Sequence, residues 1–298
     1  MIYDCIIIGG GIAGLQAAIQ LGRYKRNVLV IDNNNGRSSI CHSYHNVLGW
    51  PDGVSGTFLR EQGYEQASSY GVQFLQEEVL SVKKMPTTFS VTIASGESHQ
   101  AKKILLSTGV MDNIPPFPAI RPCLGITVYV CPDCDGYEIQ NKKTTVLGAG
   151  NTGANMAITL SYWSNEIIYI NDKETEVKQE LLDEMKKKNI TYINVAVEEV
   201  LANGSEFQGV RLANGEKVES ARAFIAYGQN EVKSKLAKEL GVELLENKHI
   251  VVDPRTKMTN VDGVWAAGDI VAHSEQVTIA MGEGSQAAIW IHKTLLSE

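Results

Sequence analysis

The 298-residue chain is 44% hydrophobic and carries a formal net charge of -7, enough apolar material for two domains of ordinary size. The acidic balance excludes a nucleic-acid partner, since no cationic stripe appears beyond the short run Lys186-Lys187-Lys188. No apolar stretch is long enough to span a bilayer and no secretory leader precedes the first strand, so the expectation is a cytoplasmic protein without a membrane partner.

The N-terminus opens with the apolar run Tyr3-Asp4-Cys5-Ile6-Ile7-Ile8, the turn Gly9-Gly10-Gly11-Ile12-Ala13-Gly14, and helical spacing from Leu15 to Arg23. A second strand, Asn27 to Ile31, ends at Asp32. Residues 51 to 70 read as a loop and helix, and Val72 to Ala101 as a short β-meander broken at Pro86 and Gly96. Ile104 to Gly109 is a buried strand ending in a small-residue turn, and Ile114-Pro115-Pro116-Phe117-Pro118 reads as a linker because proline removes donors and fixes an extended path.

The opening grammar returns 139 positions later: Thr144-Thr145-Val146-Leu147, then Gly148, Gly150 and Gly153, a helix from Ala154 to about Tyr162, and the strand Ile167 to Ile170. Each copy is a βαβ unit of the dinucleotide-binding type. The first glycine permits a tight bend, the second lets backbone approach a pyrophosphate, and the third allows close packing of helix on strand. The tail carries Gly263-Val264-Trp265-Ala266-Ala267-Gly268-Asp269, then Gly282-Glu283-Gly284 leading into a helix from Gln286 to Leu296.

Five cysteines scattered through a long chain do not form a secreted disulfide framework. Cys5, inside the first strand, reads as core. Cys131-Pro132-Asp133-Cys134 is different: two thiols across two residues can be oxidised and reduced with two electrons. A zinc site would need further ligands, for which Cys41, His42 and His45 are poor candidates, so no metal is expected. A cysteine at a helix N-terminus meets the positive end of the dipole, which favours its thiolate.

Taken together, GGGIAG with Asp32, His45-Asn46 before Gly49-Trp50-Pro51, Ser107-Thr108-Gly109, CPDCDG, GAGNTG, AAGD and Gln276 resemble the low-molecular-weight thioredoxin reductase family across essentially the whole chain. The resemblance implies FAD on the first module and a nicotinamide nucleotide on the second. Gly9, Gly11, Ala13 and Gly14 would cradle the FAD pyrophosphate and Asp32 its adenosine ribose. Asn46, Val79, Thr108 and Gly109 would line the flavin cavity, with Gly268 and Asp269 at the ribityl chain and Gln276 near the ring. Gly148, Gly150, Asn151, Thr152 and Gly153 would form the second phosphate turn.

By the same resemblance Cys134 would face the flavin, Cys131 would attack the partner disulfide, and Asp135 would move the proton. The partner would be thioredoxin or a similar small disulfide protein, and the chain a homodimer. The family's NADP signature, a His-Arg-Arg start, is replaced here by Asn171, Asp172 and Lys173. A carboxylate accepts hydrogen bonds from a free ribose hydroxyl but repels a phosphate, so of NADH and NADPH the former is favoured, with Asp172 as its ribose ligand. Other relatives take electrons from ferredoxin or a second flavin, run as dithiol oxidases, or would serve as flavin-bound sensors with little turnover; Asp135-Gly136 favours the reductase direction.

The fold class expected is α/β with two Rossmann-like three-layer (ββα) nucleotide-binding domains, the second inserted into the first. The FAD domain would comprise residues 1–113 and 246–298, and the inserted domain residues 114–245. Ile114 to Pro118 and Glu243 to Ile250 would be the crossing strands.

Overall fold

The computed structural model describes residues 1–297 and divides into two compact units. One comprises Met1–Ser39, Gly56–Met111 and the chain from Glu231 onward; the other comprises Ile40–Ser55 and Asp112–Asn230.

In the first unit the strand Ile2–Ile8 lies inside a seven-stranded sheet, paired in parallel with Val28–Ile31 on one side and Ser98–Leu106 on the other. Its last residues, Ile6, Ile7 and Ile8, are buried on both faces, as a central parallel strand requires. Ile6 and Ile8 point into the core beneath the meander, while Cys5 and Ile7 point into the core beneath the helices. Burial pushes the Cys5 thiol far up, so this cysteine is inert packing.

The nine-residue strand Ser98–Leu106 serves two partners on one edge. Its first half pairs antiparallel with Phe89–Ile93, which continues to Val79–Lys84 as the expected meander, and its last three residues pair in parallel with Val264–Ala266. Ile8, Ile31, Leu106 and Ala266 consequently end at one edge of the sheet. The loops that follow them emerge together.

The helices Ile12–Arg23 and Val277–Leu296 pack on one face of this sheet. The second begins nine residues earlier than its sequence suggests and takes Gly282 and Gly284 into its interior, where glycine ordinarily weakens a helix. Gly284 is required there by contact: a Cβ at this position would stand 2.2 Å from the carbonyl oxygen of Ala13.

The second unit repeats the plan. A five-stranded all-parallel sheet runs Thr191–Ile193, Ile167–Asn171, Thr144–Gly148, Arg222–Ala226, Val128–Tyr129, with the helix Gly150–Leu160 on one face. An antiparallel sheet of Val197–Asn203, Glu206–Leu212 and Lys217–Glu219 shares a core with its other face. The two α/β units are therefore of the expected class, the second interrupting the first.

The interruption falls elsewhere than at the expected residues. The crossing strands are Val110–Met111 and Glu231–Val232, which pair antiparallel, not Ile114 to Pro118 and Glu243 to Ile250. Pro115, Pro116 and Pro118 have no amide hydrogens to donate, and Pro118–Cys123 coils instead into a 3-10 helix. Residues 231–245 side with the first unit because Leu236, Ala237 and Val242 fill the core beneath the meander.

Gly284→Ala should force the two helices apart and lower stability by about 1–3 kcal/mol. Gly282→Ala, which faces open space, should be neutral or slightly stabilising in the same thermal melt.

Candidate active site and nucleotide turns

Four loops leave the carboxyl edge of the first sheet: residues 9–14, the segment from Asp32, residues 107–109, and residues 267–269. Ligands of open α/β sheets bind at this edge. Gly9 has φ +103°, and a Cβ there would stand 2.4 Å from the Ser107 carbonyl oxygen; one on Gly14 would stand 2.0 Å from that of Gly9. The turn therefore closes only without side chains, and Ser107 Oγ locks it by donating to the carbonyls of Ile8 and Gly9 at 3.1 and 2.8 Å. In front of Gly11 the nearest atom is Ser38 Oγ at 4.0 Å, and Gly109 faces open space.

Asp32 sits at the end of its strand with its carboxylate bonded to Arg60 at 2.8 Å and 23% of its side chain accessible. Arg60 also donates to the Gly10 carbonyl at 2.8 Å, fixing acid and turn to each other. Glu77 N–H donates to the Asp32 carbonyl, which brings the strand beginning at Val79 alongside. Ala13 abuts Gly268, joining the first turn to Asp269. Thr108 Oγ donates to Lys233 O at 2.7 Å, and Gln276 caps the final helix. Asn46 is exposed in the segment 40–55, which packs with the second unit, so the structure does not group it with these residues.

A narrow turn made of glycines, open space before Gly11, and an accessible acid at the strand end suit an FAD pyrophosphate and adenosine ribose. Sequence reasoning missed the side chains that brace this edge. Arg37 binds Asp269 at 2.9 Å and Glu275 at 2.6 Å. Buried Glu283 accepts from the Gly268 N–H at 2.9 Å and pairs with Lys257 and His273, both at 2.7 Å. These bonds outweigh its burial and hold Glu283 below the usual carboxylate range, while raising His273. Such pairs are invisible in sequence because their members lie up to 238 positions apart.

In the second unit Cys131 caps the short helix Pro132–Asp135, with Asp135 N–H returning to the Cys131 carbonyl at 3.0 Å. Both cysteines are half-buried. Hydrogen bonds to the Cys131 sulfur from the Cys134 thiol and backbone N–H lower the Cys131 pKa, against burial and the nearby Asp135 and Asp133 charges. Asp135 moves the opposite way: burial, helped by the Glu138 charge, raises it to about 7. Gly136 lets this helix lie on Trp163, whose indole would be 2.7 Å from a Cβ there.

The second Gly-rich turn keeps its tight contacts. A Cβ on Gly148 would stand 2.5 Å from the Ala226 carbonyl oxygen, and one on Gly153 2.3 Å from the Tyr169 ring. Asn151 and Thr152 open the helix behind Gly150. Asp172 departs from its expected role. Only 2% of its side chain is accessible; Oδ1 accepts from Val197 N–H at 2.6 Å, and Oδ2 from Tyr227 OH at 3.0 Å and Lys173 at 2.9 Å. A carboxylate committed to the module's own backbone and tyrosine is not presented to a ribose. The register explains the difference, since Asn171, not Asp172, is the counterpart of Asp32 in the 139-residue repeat. Among the described residues no cluster suited to a metal ion is present and no helix is long and apolar enough to cross a membrane.

Comparison with known proteins agrees with this geometry. The thioredoxin reductase of Rickettsia bellii is 28% identical over 97% of both chains. The crystal structure of HlmI superposes with a TM-score of 0.88 at 27% identity, covering 99% of this chain and 93% of that one. The putative thioredoxin reductase TrxB of Bacillus anthracis gives a TM-score of 0.86 at 25% identity over 99% of both chains. Residues 3–284 match the family model described as pyridine nucleotide-disulphide oxidoreductase. With two dinucleotide-type modules, a dithiol and a match over nearly its whole length, the chain belongs to the pyridine nucleotide-disulphide oxidoreductases, as a thioredoxin reductase-like, FAD-dependent member.

Proposed function

We propose that the protein reduces a small protein disulfide, thioredoxin or a protein like it, with electrons from NADH passing through FAD and the Cys131-Cys134 pair. The observation that carries this reading is geometric: two half-buried cysteines and Asp135 share one short helix and its cap, with the Asp135 N–H returning to the Cys131 carbonyl at 3.0 Å. Cys131 is made more acidic by its bonds from Cys134, and Asp135 is made less acidic by burial and Glu138. A thiolate beside a group that titrates at about 7 is the pairing that thiol-disulfide exchange needs near neutrality.

FAD, when bound to the first module, supplies the two-electron carrier between nucleotide and dithiol. Gly9, Gly11 and Gly14 would hold its phosphates, and Asp32, steadied by Arg60, would accept from its ribose hydroxyls. The Cys131 thiolate attacks one sulfur of the partner disulfide, forming a mixed disulfide and releasing the other partner sulfur, which Asp135 protonates. Cys134 then loses its proton to the same carboxylate and attacks the Cys131 sulfur, expelling the second partner sulfur as a thiolate that takes the proton back from Asp135, and leaving a Cys131-Cys134 disulfide. Two electrons have moved to the partner.

The preference for NADH over NADPH is supported by side-chain chemistry. Residues 171–173 supply no guanidinium fork for a 2'-phosphate, and their one cation, Lys173, is paired with Asp172 at 2.9 Å. We further propose a cytoplasmic homodimer, consistent with the acidic sequence and the family resemblance.

Cys131→Ser should leave bound flavin reducible by the donor and abolish disulfide reduction; turnover of thioredoxin at the wild-type rate by this variant would exclude the assigned attack. Glu138→Gln removes the charge that helps raise Asp135, so the ionisation near 7 in the pH profile of disulfide exchange should move to lower pH. Desolvation still holds Asp135 above its ordinary value, so the shift should be partial. A profile unchanged in the variant would separate Asp135 from proton transfer.

A further inference from the structure

The two Gly-rich turns of this chain are equivalent in sequence and differ in what stands before them. In the first, the space ahead of Gly11 is open to 4.0 Å. In the second, Gly150, its counterpart, takes φ +51° and meets Thr175 Oγ at 2.9 Å and the Glu176 carbonyl at 3.3 Å from where a Cβ would stand. The atoms come from the loop that follows the strand Ile167–Asn171.

Asn171 fastens this loop. It is fully buried. Its Oδ1 accepts the Gly150 N–H at 2.9 Å, and its Nδ2 donates to the Thr175 carbonyl at 2.7 Å, to Asn194 Oδ1 at 2.7 Å and to Tyr192 OH at 3.2 Å. Farther along, Lys178 N–H donates to Asn151 Oδ1 at 2.9 Å. The loop is thus tied to the glycine turn at both ends.

We propose that residues 171–178 form a strap over the second nucleotide site, latched by Asn171, and that a dinucleotide binds there only when the strap opens. A pyrophosphate at a helix N-terminus needs backbone N–H groups facing it. Here one such group, on Gly150, is taken by Asn171, and the approach is lined by the Glu176 carbonyl, whose negative end repels phosphate. Asp32 makes the contrast within the same molecule. Its carboxylate has no N–H with which to hold a carbonyl, it pairs with Arg60, and its turn stays open.

A site competent only in a minor conformation binds with an affinity reduced by the fraction open. Asn171 and the strap therefore determine how well the second module takes a nucleotide. This rests on the reading that the second module is the nicotinamide site, but its test does not require turnover.

ADP-ribose binding to the FAD-loaded protein, measured by equilibrium dialysis, provides that test. Asn171→Asp keeps the acceptor for Gly150 and removes both Nδ2 hydrogens, while facing the Thr175 carbonyl with a negative charge. Asn194→Ala removes one latch partner without adding an acid at the ribose position. Both should tighten ADP-ribose by about ten-fold or more, and in the wild type ADP-ribose should speed hydrogen exchange at the amide of Lys178. Equal affinity in all three proteins, or slower exchange at Lys178 on binding, would overturn the strap. If the variants bind ADP-ribose tightly yet NADH still leaves the flavin oxidised, the strap stands and the NADH reading fails instead.

Discussion

The first unit depends on a helix pressed against backbone on two sides. Residues Ile12–Arg23 can approach the first strand's turn because Gly14 has no side chain to meet the Gly9 carbonyl, and can approach the final helix because Gly284 has none to meet that of Ala13. Both contacts fall in the helix's first turn, where its free N–H groups lie. Close packing there fixes the position of those N–H groups relative to Asp32, Thr108 and Asp269, which the sheet delivers to the same edge. Packing and ligand geometry are one constraint.

The second unit solves the same problem with a different neighbour. Gly153 faces the Tyr169 ring, whose hydroxyl donates to the Gly150 carbonyl at 2.7 Å, so the turn is held from beneath by an aromatic side chain. Asn171 and Tyr169 are fully buried, and they bond with each other and with half-buried Tyr192 and exposed Asn194 at the cluster's rim. Buried polar groups are tolerated when satisfied, and this network is satisfied by the protein's own loop. Two copies of one supersecondary unit have thus come to spend their strand-end side chain differently, outward at Asp32 and inward at Asn171.

Much of this was legible in the sequence, for reasons that are local. The apolar run Cys5 to Ile8, the glycines at 9, 11 and 14, and their return at 148, 150 and 153 report backbone sterics, which depend on near neighbours in the chain. The dithiol was legible because both thiols and Asp135 lie within five consecutive positions. What stayed hidden depends on distant partners. Asp172 has the residue type of a ribose ligand, but Val197 and Tyr227, which lie 25 and 55 positions away, occupy its oxygens. The start of the final helix was obscured by two glycines whose need arises from Ala13, and the crossing strands by prolines that suggested an extended linker. Arg37, Arg60 and Glu138 carry no sequence pattern at all, and Glu283, though it stands in Gly282-Glu283-Gly284, gives no sign there of its bonds to Gly268, Lys257 and His273.

The chain enters and leaves the inserted unit at adjacent points. Asn230 Nδ2 donates to Asp112 at 3.1 Å and its Oδ1 accepts the Asn113 N–H at 3.2 Å, just beyond the paired strands Val110–Met111 and Glu231–Val232. A segment whose two ends meet leaves the flanking strands free to pair with each other, so residues 112–230 can be accommodated without spreading the sheet that hosts them. Two modules built on one 139-residue repeat thus share a chain, and the later one is held at both of its ends beside a two-stranded ribbon that draws them together.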